Sequence, residues 1–213
     1  MSHNTATQLI VFGRGLEIRG SSIKLSSASI GRVDALLAYI TLHIDIFKVT
    51  PGLVVLSGGY AGASEGIEAL PYKFREASLM LERIKCVTIE GRPISDYVSI
   101  YAEVESVSTL ESVLNIYEKR YFKDTVFSAR NPLGLVAHTT HLPRIEYFVC
   151  KILGLSSRYT QRIEAVNQDR TKSGMPEFIM YYITRVVLLG VRRHTTLRSR
   201  EHLMTRIASL LRG

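Results

Sequence analysis

QLIVF at residues 8–12 and LVVL at residues 53–56 are short apolar runs that end at Gly13 and at Ser57-Gly58-Gly59 respectively. Unbroken apolar runs of this length are typical of parallel strands that are buried on both faces. Residues 33–47, between the two runs, repeat apolar side chains at helical spacing, which predicts a helix. Strand, helix and strand in this order form a βαβ unit, whose crossover is right-handed in nearly all proteins.

The same alternation continues along the chain. Further strands are predicted at residues 98–103, 133–137 and 159–166, and further helices at about 72–90, 108–117 and 143–153. This order indicates an α/β protein with a doubly wound, mostly parallel, five-stranded sheet of the Rossmann-like kind. Extra C-terminal helices, the first at 177–190, form an extension of about 176–213. We expect one α/β domain over residues 1–213, with its core at about 8–166.

The sequence predicts neither a secretory signal nor a membrane span. Residues 1–8 are polar, and the longest apolar run, at 186–191, is far shorter than the roughly 20 residues that a membrane helix needs. Cys86 and Cys150 are too few for a disulfide framework and lack the paired spacing of a zinc site. These features predict a cytoplasmic protein without a transmembrane segment.

The net charge of +8 lies entirely at the C-terminal end. Residues 1–150 contain 15 basic and 15 acidic residues, whereas residues 151–213 contain 12 basic and 4 acidic residues. A basic end can attract nucleic acid, anionic lipid or an acidic substrate, but it can equally be a solvated helical face.

Ser57, Gly58 and Gly59 follow a predicted strand, where glycine lets backbone N–H groups approach a phosphate. Glycines at such a position can also serve the turn alone. The stretch from Gly13 through Arg14 to Gly15 lacks the G-x-G-x-x-G spacing, so an NAD site is not inferred.

Polar side chains crowd the end of the third predicted strand: Glu103, Ser106, Ser108, Thr109 and Glu111. Hydroxyl groups and free backbone donors at the start of a helix suit an anion. The spacing of Ser108 and Glu111 is that of a capping box, which would explain those two residues without a ligand.

The stretch from His138 to His141, followed by Arg144, contains groups that commonly carry chemistry. Imidazole titrates near neutral pH, and a guanidinium group binds carboxylate or phosphate through two donors. The two histidines precede a proline in a loop and lack an evident third ligand, so a metal site is not expected. His141 is a candidate acid/base, although a loop histidine is often only a hydrogen-bonded surface residue.

Taken in order over about residues 9–166, these pieces resemble the bacterial YdcF/SanA/ElyC-like family. The resemblance is carried by Gly13, Arg32, Ser57 to Gly59, Glu76-Ala77 before Met80, Gly91 and Pro93, Glu103 with Ser106, Thr109 and Glu111, and Val136 followed by His141 and Arg144. It implies a Rossmann-like domain, and the family includes an S-adenosylmethionine-binding protein and members connected with envelope or vancomycin phenotypes. The envelope members carry membrane segments, so this chain resembles the soluble branch.

The resulting hypothesis is an enzyme that binds a nucleotide- or S-adenosylmethionine-type ligand and catalyses hydrolysis or group transfer on a small anionic substrate. Arg32 and Arg144 are expected to clamp the anion, and the turns are expected to supply backbone donors. The candidate catalytic residues are His141, Glu111 and Glu103; the candidate ligand-binding residues are Gly13, Arg14, Arg32, Ser57, Gly58, Gly59, Ser106, Ser108, Thr109, His138 and Arg144.

Two alternatives stay open. One is a non-catalytic module that binds the same ligand, and the other is a nucleic-acid or membrane-surface binder that uses the basic C-terminal helices. Nucleic acid is not the expected partner, no metal cofactor is expected, and a homodimer is compatible with the sequence.

Overall fold

A parallel sheet forms the centre of the computed structural model, which describes residues 4–20, 22–60, 70–166, 176–191 and 194–200. The strands are β1 (Gln8–Phe12), β2 (Leu16–Arg19), β3 (Ser22–Leu25), β4 (Gly52–Ser57), β5 (Thr88–Ile89), β6 (Arg92–Pro93), β7 (Val98–Glu103), β8 (Leu133–His138) and β9 (Thr160–Ala165). Five of them form an all-parallel sheet in the order β7-β4-β1-β8-β9. The chain extends the sheet from β1 first on one side and then on the other, so the predicted doubly wound α/β architecture is confirmed.

Helices cover both faces of this sheet. They are α1 (Ser27–Leu42), α2 (Ile44–Val49), α3 (Glu76–Ile84), α4 (Thr109–Glu118), α5 (Leu142–Leu153) and α6 (Glu177–Val187), and residues 194–200 are also helical. The predicted second C-terminal helix extends into 201–213, which lies outside the described residues. In the part of the chain that the structure describes, no helix combines the length and apolar character needed to cross a bilayer.

The two faces of β1 contribute to two separate hydrophobic clusters. Leu9 and Val11 pack in a cluster with α1 and α3, whereas Ile10 and Phe12 pack in a cluster with α4 and α5. Successive residues of a strand point to opposite faces, so a strand covered on both sides needs apolar residues at every position. This double burial explains the unbroken QLIVF run.

The helix predicted at 72–90 is wrong at both ends. A 3₁₀ turn (Tyr72–Phe74) comes first, α3 covers only Glu76–Ile84, and the hairpin of β5 and β6 follows. The hairpin turn contains Glu90 and Gly91, whose φ angles are 50° and 76°. Two consecutive positive φ angles are typical of the tight hairpin turn that suits the strand twist, so the chain cannot remain helical there.

Two further features near the N-terminus differ from the sequence prediction. The antiparallel hairpin of β2 and β3 was not predicted, because its strands are mostly exposed and carry no continuous apolar run. The first helix begins earlier than predicted, at Ser27, because Ser26 caps it by accepting the N–H of Ser29. His43 then separates α1 from α2.

Ser108 caps α4, as the sequence spacing indicated, because its Oγ accepts the N–H of Glu111 at 3.1 Å. Ser108→Ala is expected to lower the free energy of unfolding by about 1 kcal/mol, measured by urea denaturation. The matched control is Ser156→Ala, since Ser156 is exposed and makes no side-chain capping bond. Its effect should stay within about 0.5 kcal/mol; equal losses in the two variants would contradict the capping role.

Candidate functional site

A cavity of about 310 Å³ opens at the carboxyl ends of β1, β4 and β7. This is the edge at which doubly wound sheets bind their ligands. The candidate residues that line it are Gly13, Arg14, Ser57, Gly58, Gly59, Ser106, Ser108, Thr109 and His141. The remaining candidates, which contact those lining residues from behind, are Arg32, Glu103, Glu111, His138 and Arg144.

The backbone donors expected to hold a phosphate are used inside the protein. The N–H groups of Gly13, Gly58 and Gly59 donate to the main-chain oxygens of Ser57, Glu103 and Ser106, at 2.7, 3.0 and 3.0 Å. These bonds tie the turns after β1, β4 and β7 to one another. In this structure the three glycines shape the cavity wall, and the binding of a ligand by the turn at 57–59 stays a prediction.

Glycine is required at these three positions because neighbouring atoms come too close to leave room for a side chain. A Cβ atom at Gly13 or Gly58 would overlap the carboxylate of Glu76, and a Cβ at Gly59 would overlap the main-chain oxygen of Ser106. The space that the missing side chains leave at Gly13 and Gly58 is thus filled by a carboxylate of the chain itself.

Glu76, the first residue of α3, lines the cavity and was missed as a site residue by sequence reasoning. Its Oε1 accepts the N–H groups of Arg14 and Gly15, at 2.6 and 2.7 Å, and the hydroxyl of Ser29. Burial raises the pKa of Glu76 above its ordinary value, although these hydrogen bonds and the charge of Arg32 oppose the rise. Glu76 can therefore keep a proton at a pH where an exposed glutamate has lost it.

Arg32 is fully buried behind the cavity, and its predicted role as an anion clamp stays a prediction. Its Nη1 donates to the main-chain oxygens of Phe12 and Gly13, both at 2.8 Å. Its Nε donates to Nδ1 of His138 at 2.9 Å, and its Nη2 lies 3.3 Å from Nδ1 of His141. Arg32 thus holds the end of β1 and both histidines in place, which is a positioning role.

Glu103 lies behind the cavity wall, and its catalytic role stays a prediction. It is fully buried, and its Oε2 accepts the hydroxyl of Ser57 at 2.8 Å. Its Oε1 accepts the N–H groups of Glu105 and Ser106 and the amide of Asn115. With both oxygens engaged and no place in the cavity wall, Glu103 orders the loop between β7 and α4.

Glu111 likewise completes the capping box and does not reach the cavity. Its Oε2 accepts the N–H of Val107 at 2.8 Å, and its Oε1 lies 3.3 Å from Nη1 of Arg198. Glu111 thus fixes the start of α4, where Ser108 and Thr109 face the cavity, and its catalytic role stays a prediction.

His138 is the last residue of β8 and is buried, whereas the sequence placed it in a loop. Its ring accepts the Nε–H of Arg32, so it supports the site from behind the cavity wall, and its role in ligand binding stays a prediction.

His141, by contrast, lines the cavity and is surrounded by positive charge. Its Nε2 lies 3.0 Å from Nη2 of Arg144 and 3.4 Å from the hydroxyl of Thr109. Burial, followed by the charges of Arg144, Arg32 and Arg14, lowers the pKa of His141 well below 6.5. The imidazole is therefore neutral at physiological pH and can accept a proton.

Arg144 forms a fork with Arg14 around one carboxylate from the C-terminal extension. Arg144 donates from Nε and Nη2 to Oε2 and Oε1 of Glu177, at 3.0 and 3.3 Å. Nη1 of Arg14 donates to Oε1 of the same carboxylate at 3.0 Å. The anion at this fork is Glu177, a residue that sequence reasoning did not assign to the site.

The one sequence signal for Glu76 was its place in the pattern that carries the family resemblance, and no comparable signal marked Glu177. In the structure each is the first residue of a helix, where the helix dipole favours an acidic side chain whether or not a ligand binds. Within the described ranges, no group of three or more His, Cys, Asp or Glu side chains could hold a metal ion.

No family model, curated protein or solved structure matches this chain. The fold and the cavity nevertheless define a class: a Rossmann-like α/β protein with a polar, arginine-bordered cavity at the carboxyl edge of its sheet.

Proposed function

We propose that this protein is an enzyme that binds a small anionic ligand of the mononucleotide or S-adenosylmethionine type and catalyses hydrolysis or group transfer. One observation carries the proposal: Glu76 and His141 line the same cavity, and their pKa values are shifted in opposite directions. Acid/base sites generally contain two titratable groups whose pKa values are moved apart by their surroundings. Glu76 is the proposed acid and His141 the proposed base.

The positive surroundings of His141 support an anionic ligand. Arg144, Arg32 and Arg14 all lower its pKa, and a histidine with a very low pKa is a weak base. The negative charge of a bound ligand would offset the arginines and raise the pKa of His141 towards neutral pH. Ligand binding would therefore activate the base, which makes catalysis depend on the presence of the substrate.

The size and lining of the cavity suit a small ligand. Its volume of about 310 Å³ lies at the lower end of the roughly 300 to 1,000 Å³ range of ligand pockets. The hydroxyls of Ser108 and Thr109 at the start of α4 can hydrogen-bond to anionic oxygens, and the half-buried Val107 offers apolar surface for a base or a methyl group. A mononucleotide fits this lining, and S-adenosylmethionine is the larger candidate.

We also propose that the chain is a member of the YdcF/SanA/ElyC-like family. The support is positional: Gly13, the turn at 57–59, Thr109 and His141, which carry the sequence resemblance, all line the cavity. Glu76, which also belongs to that pattern, is the proposed acid.

Binding is tested with adenosine 5′-monophosphate, S-adenosylmethionine and inorganic phosphate by isothermal titration calorimetry, and with native mass spectrometry of the freshly purified protein. We expect one of these compounds, or a retained nucleotide, to bind at a ratio of one to one. Thr109→Val should weaken that binding about 10-fold, because the variant keeps the shape of threonine and loses one hydrogen bond.

Thr139→Val is the matched control, since Thr139 is exposed near the same edge and its hydroxyl donates to Glu164 at 2.9 Å. It should leave binding unchanged. If no probe binds and no ligand is retained, the proposed function is wrong; if the two variants lose affinity equally, the ligand lies elsewhere.

A non-catalytic binding module is the main alternative, and turnover of the bound ligand separates it from an enzyme. The nucleic-acid and membrane-surface alternatives depend on the basic C-terminal residues, of which Arg206 and Arg212 lie outside the described residues. They predict binding that falls steeply with salt.

A further inference from the structure

The fork of Arg14 and Arg144 is a built anion site that already contains an anion. Arg144 is largely buried, with 14% of its side chain exposed, and Glu177 is equally enclosed at 13%. Three hydrogen bonds of 3.0 to 3.3 Å join the two guanidinium groups to the one carboxylate. Two-donor binding of this kind recognises the planar or tetrahedral oxygens of carboxylate and phosphate groups.

The three residues come from different parts of the fold. Arg14 follows β1 and Arg144 belongs to the first turn of α5, so both are positioned by the edge of the sheet that forms the cavity. Glu177 begins α6, in the C-terminal extension. Arg14 thus belongs to the cavity wall and Arg144 lies directly behind it against His141, whereas the carboxylate is supplied by an added helix.

The two ends of α6 differ in how firmly they are attached. At its C-terminal end Val187 packs against the hydrophobic core and Leu188 is fully buried. In its first turn Phe178 and Ile179 are 64% and 36% exposed, so this turn buries little apolar surface and can open locally at low cost. The ion pairs of Glu177 therefore contribute to holding the start of α6, and not the whole helix, against the cavity edge.

We propose that the Arg14–Arg144 fork is an anion subsite of the cavity, that Glu177 occupies it in the ligand-free protein, and that a carboxylate or phosphate group of the ligand displaces Glu177 on binding. The inference rests on the proposed function, because it assigns one anionic group of the same ligand. His141 connects the two regions: it lines the cavity, and its Nε2 lies 3.0 Å from Nη2 of Arg144. A group held by the fork would therefore lie beside the proposed base.

Displacement makes α6 an autoinhibitory element. The carboxylate of Glu177 is tethered beside the fork and so competes with free anions at a high effective concentration. The apparent affinity of the fork for a free anion equals its intrinsic affinity multiplied by the fraction of molecules in which Glu177 has left. Only a ligand that also gains contacts inside the cavity would open the site efficiently. Inorganic anions alone should bind the parent protein weakly.

The test compares binding of inorganic phosphate and of acetate by the parent and by Glu177→Gln, using isothermal titration calorimetry at low ionic strength. The substitution keeps the shape of the side chain and removes its charge, so it weakens the hold on both arginines. We expect phosphate, acetate or both to bind the variant about 10-fold more tightly than the parent. This gain corresponds to a parent protein in which Glu177 occupies the fork in about nine tenths of the molecules. The stronger of the two probes indicates whether the natural group is a phosphate or a carboxylate.

Two further variants check that the gain belongs to the fork. Glu146→Gln changes the net charge equally at a similarly enclosed carboxylate that pairs with Arg162, and it should not tighten binding. Adding Arg144→Gln to Glu177→Gln should abolish the gain. If Glu177→Gln binds neither probe, or binds both no more tightly than the parent, the inference is overturned.

A second measurement uses the unmodified protein and so does not depend on how the variant folds. Hydrogen exchange of the amides at the start of α6 should speed up when phosphate or acetate is added at saturating concentration, because the helix loses its anchor. Unchanged exchange under saturating conditions would overturn the inference. The outcomes also separate the two proposals: a gain in Glu177→Gln without nucleotide binding removes only the proposed function, and nucleotide binding without that gain removes only the displacement of Glu177.

Discussion

Arg32→Met is expected to lower the free energy of unfolding by about 3 to 5 kcal/mol, the loss typical when one partner is removed from a buried polar network. Methionine has a similar length and can fill the space, but it cannot donate to the main-chain oxygens of Phe12 and Gly13 or to the ring of His138. Each buried acceptor left without a donor costs roughly 1 to 3 kcal/mol. Urea denaturation followed by circular dichroism measures the loss.

Arg83→Met is the control for this prediction. Arg83 lies on α3 and pairs with Asp34 at 3.0 Å, but their side chains are 43% and 50% exposed, so the pair contributes little. Its replacement should change stability by less than about 1 kcal/mol. A loss in Arg32→Met no larger than in Arg83→Met would show that Arg32 is not the centre of the network.

The second large effect concerns the two cavity groups with shifted pKa values. Once a substrate is identified, His141→Asn and Glu76→Gln should each lower turnover by about 100- to 10,000-fold, the usual contribution of general acid/base catalysis. Substrate affinity should change much less than turnover in both variants. Turnover close to that of the parent in both variants would make the protein a binding module.

The stability of Glu76→Gln shows whether the charge of Glu76 is needed to maintain the fold or only for catalysis. Its folded-state pKa lies above the ordinary 4.5, so the folded protein binds this proton more tightly than the unfolded chain does. The associated stability is fully present below pH 4.5 and is lost as the pH rises through the raised folded-state pKa. Glutamine cannot ionise, so Glu76→Gln should be at least as stable as the parent at neutral pH.

The exposed Glu82 on the same helix, which pairs with Lys85, provides the control. Glu82→Gln should preserve both turnover and stability, because a surface ion pair contributes little. A Glu76→Gln protein that unfolds more easily than the parent at neutral pH would instead show that the charge of Glu76 has a structural role.

The pH profile gives a check on His141 that does not require a variant. Because its pKa in the free protein lies well below 6.5, kcat/KM should stay level as the pH falls through 6.5. A decline centred at 6.5 would mean that an ordinary, solvated histidine controls the reaction.

Local patterns in the sequence were sufficient to predict the five-stranded parallel sheet and the helices that alternate with its strands. The QLIVF run at 8–12 predicted a strand buried on both faces, and the spacing of Ser108 and Glu111 predicted the start of α4. Both signals report the surroundings of one segment, which depend on residues a few positions apart. The helix predicted at 72–90 failed where a local signal was overruled by a hairpin turn of only two residues.

The roles of the charged residues were decided by the tertiary structure. Arg32, a candidate for binding the anion, is buried behind the cavity wall, and two residues that the sequence did not single out as site residues, Glu76 and Glu177, lie in the site. Arg14 and Glu177 are 163 positions apart, and Ser29 and Glu76 are 47 apart. The sequence alone determined where the strands end and hence which edge carries polar residues; the folded chain decided which charges meet there, because charges are paired by distance in space and not by any period along the chain.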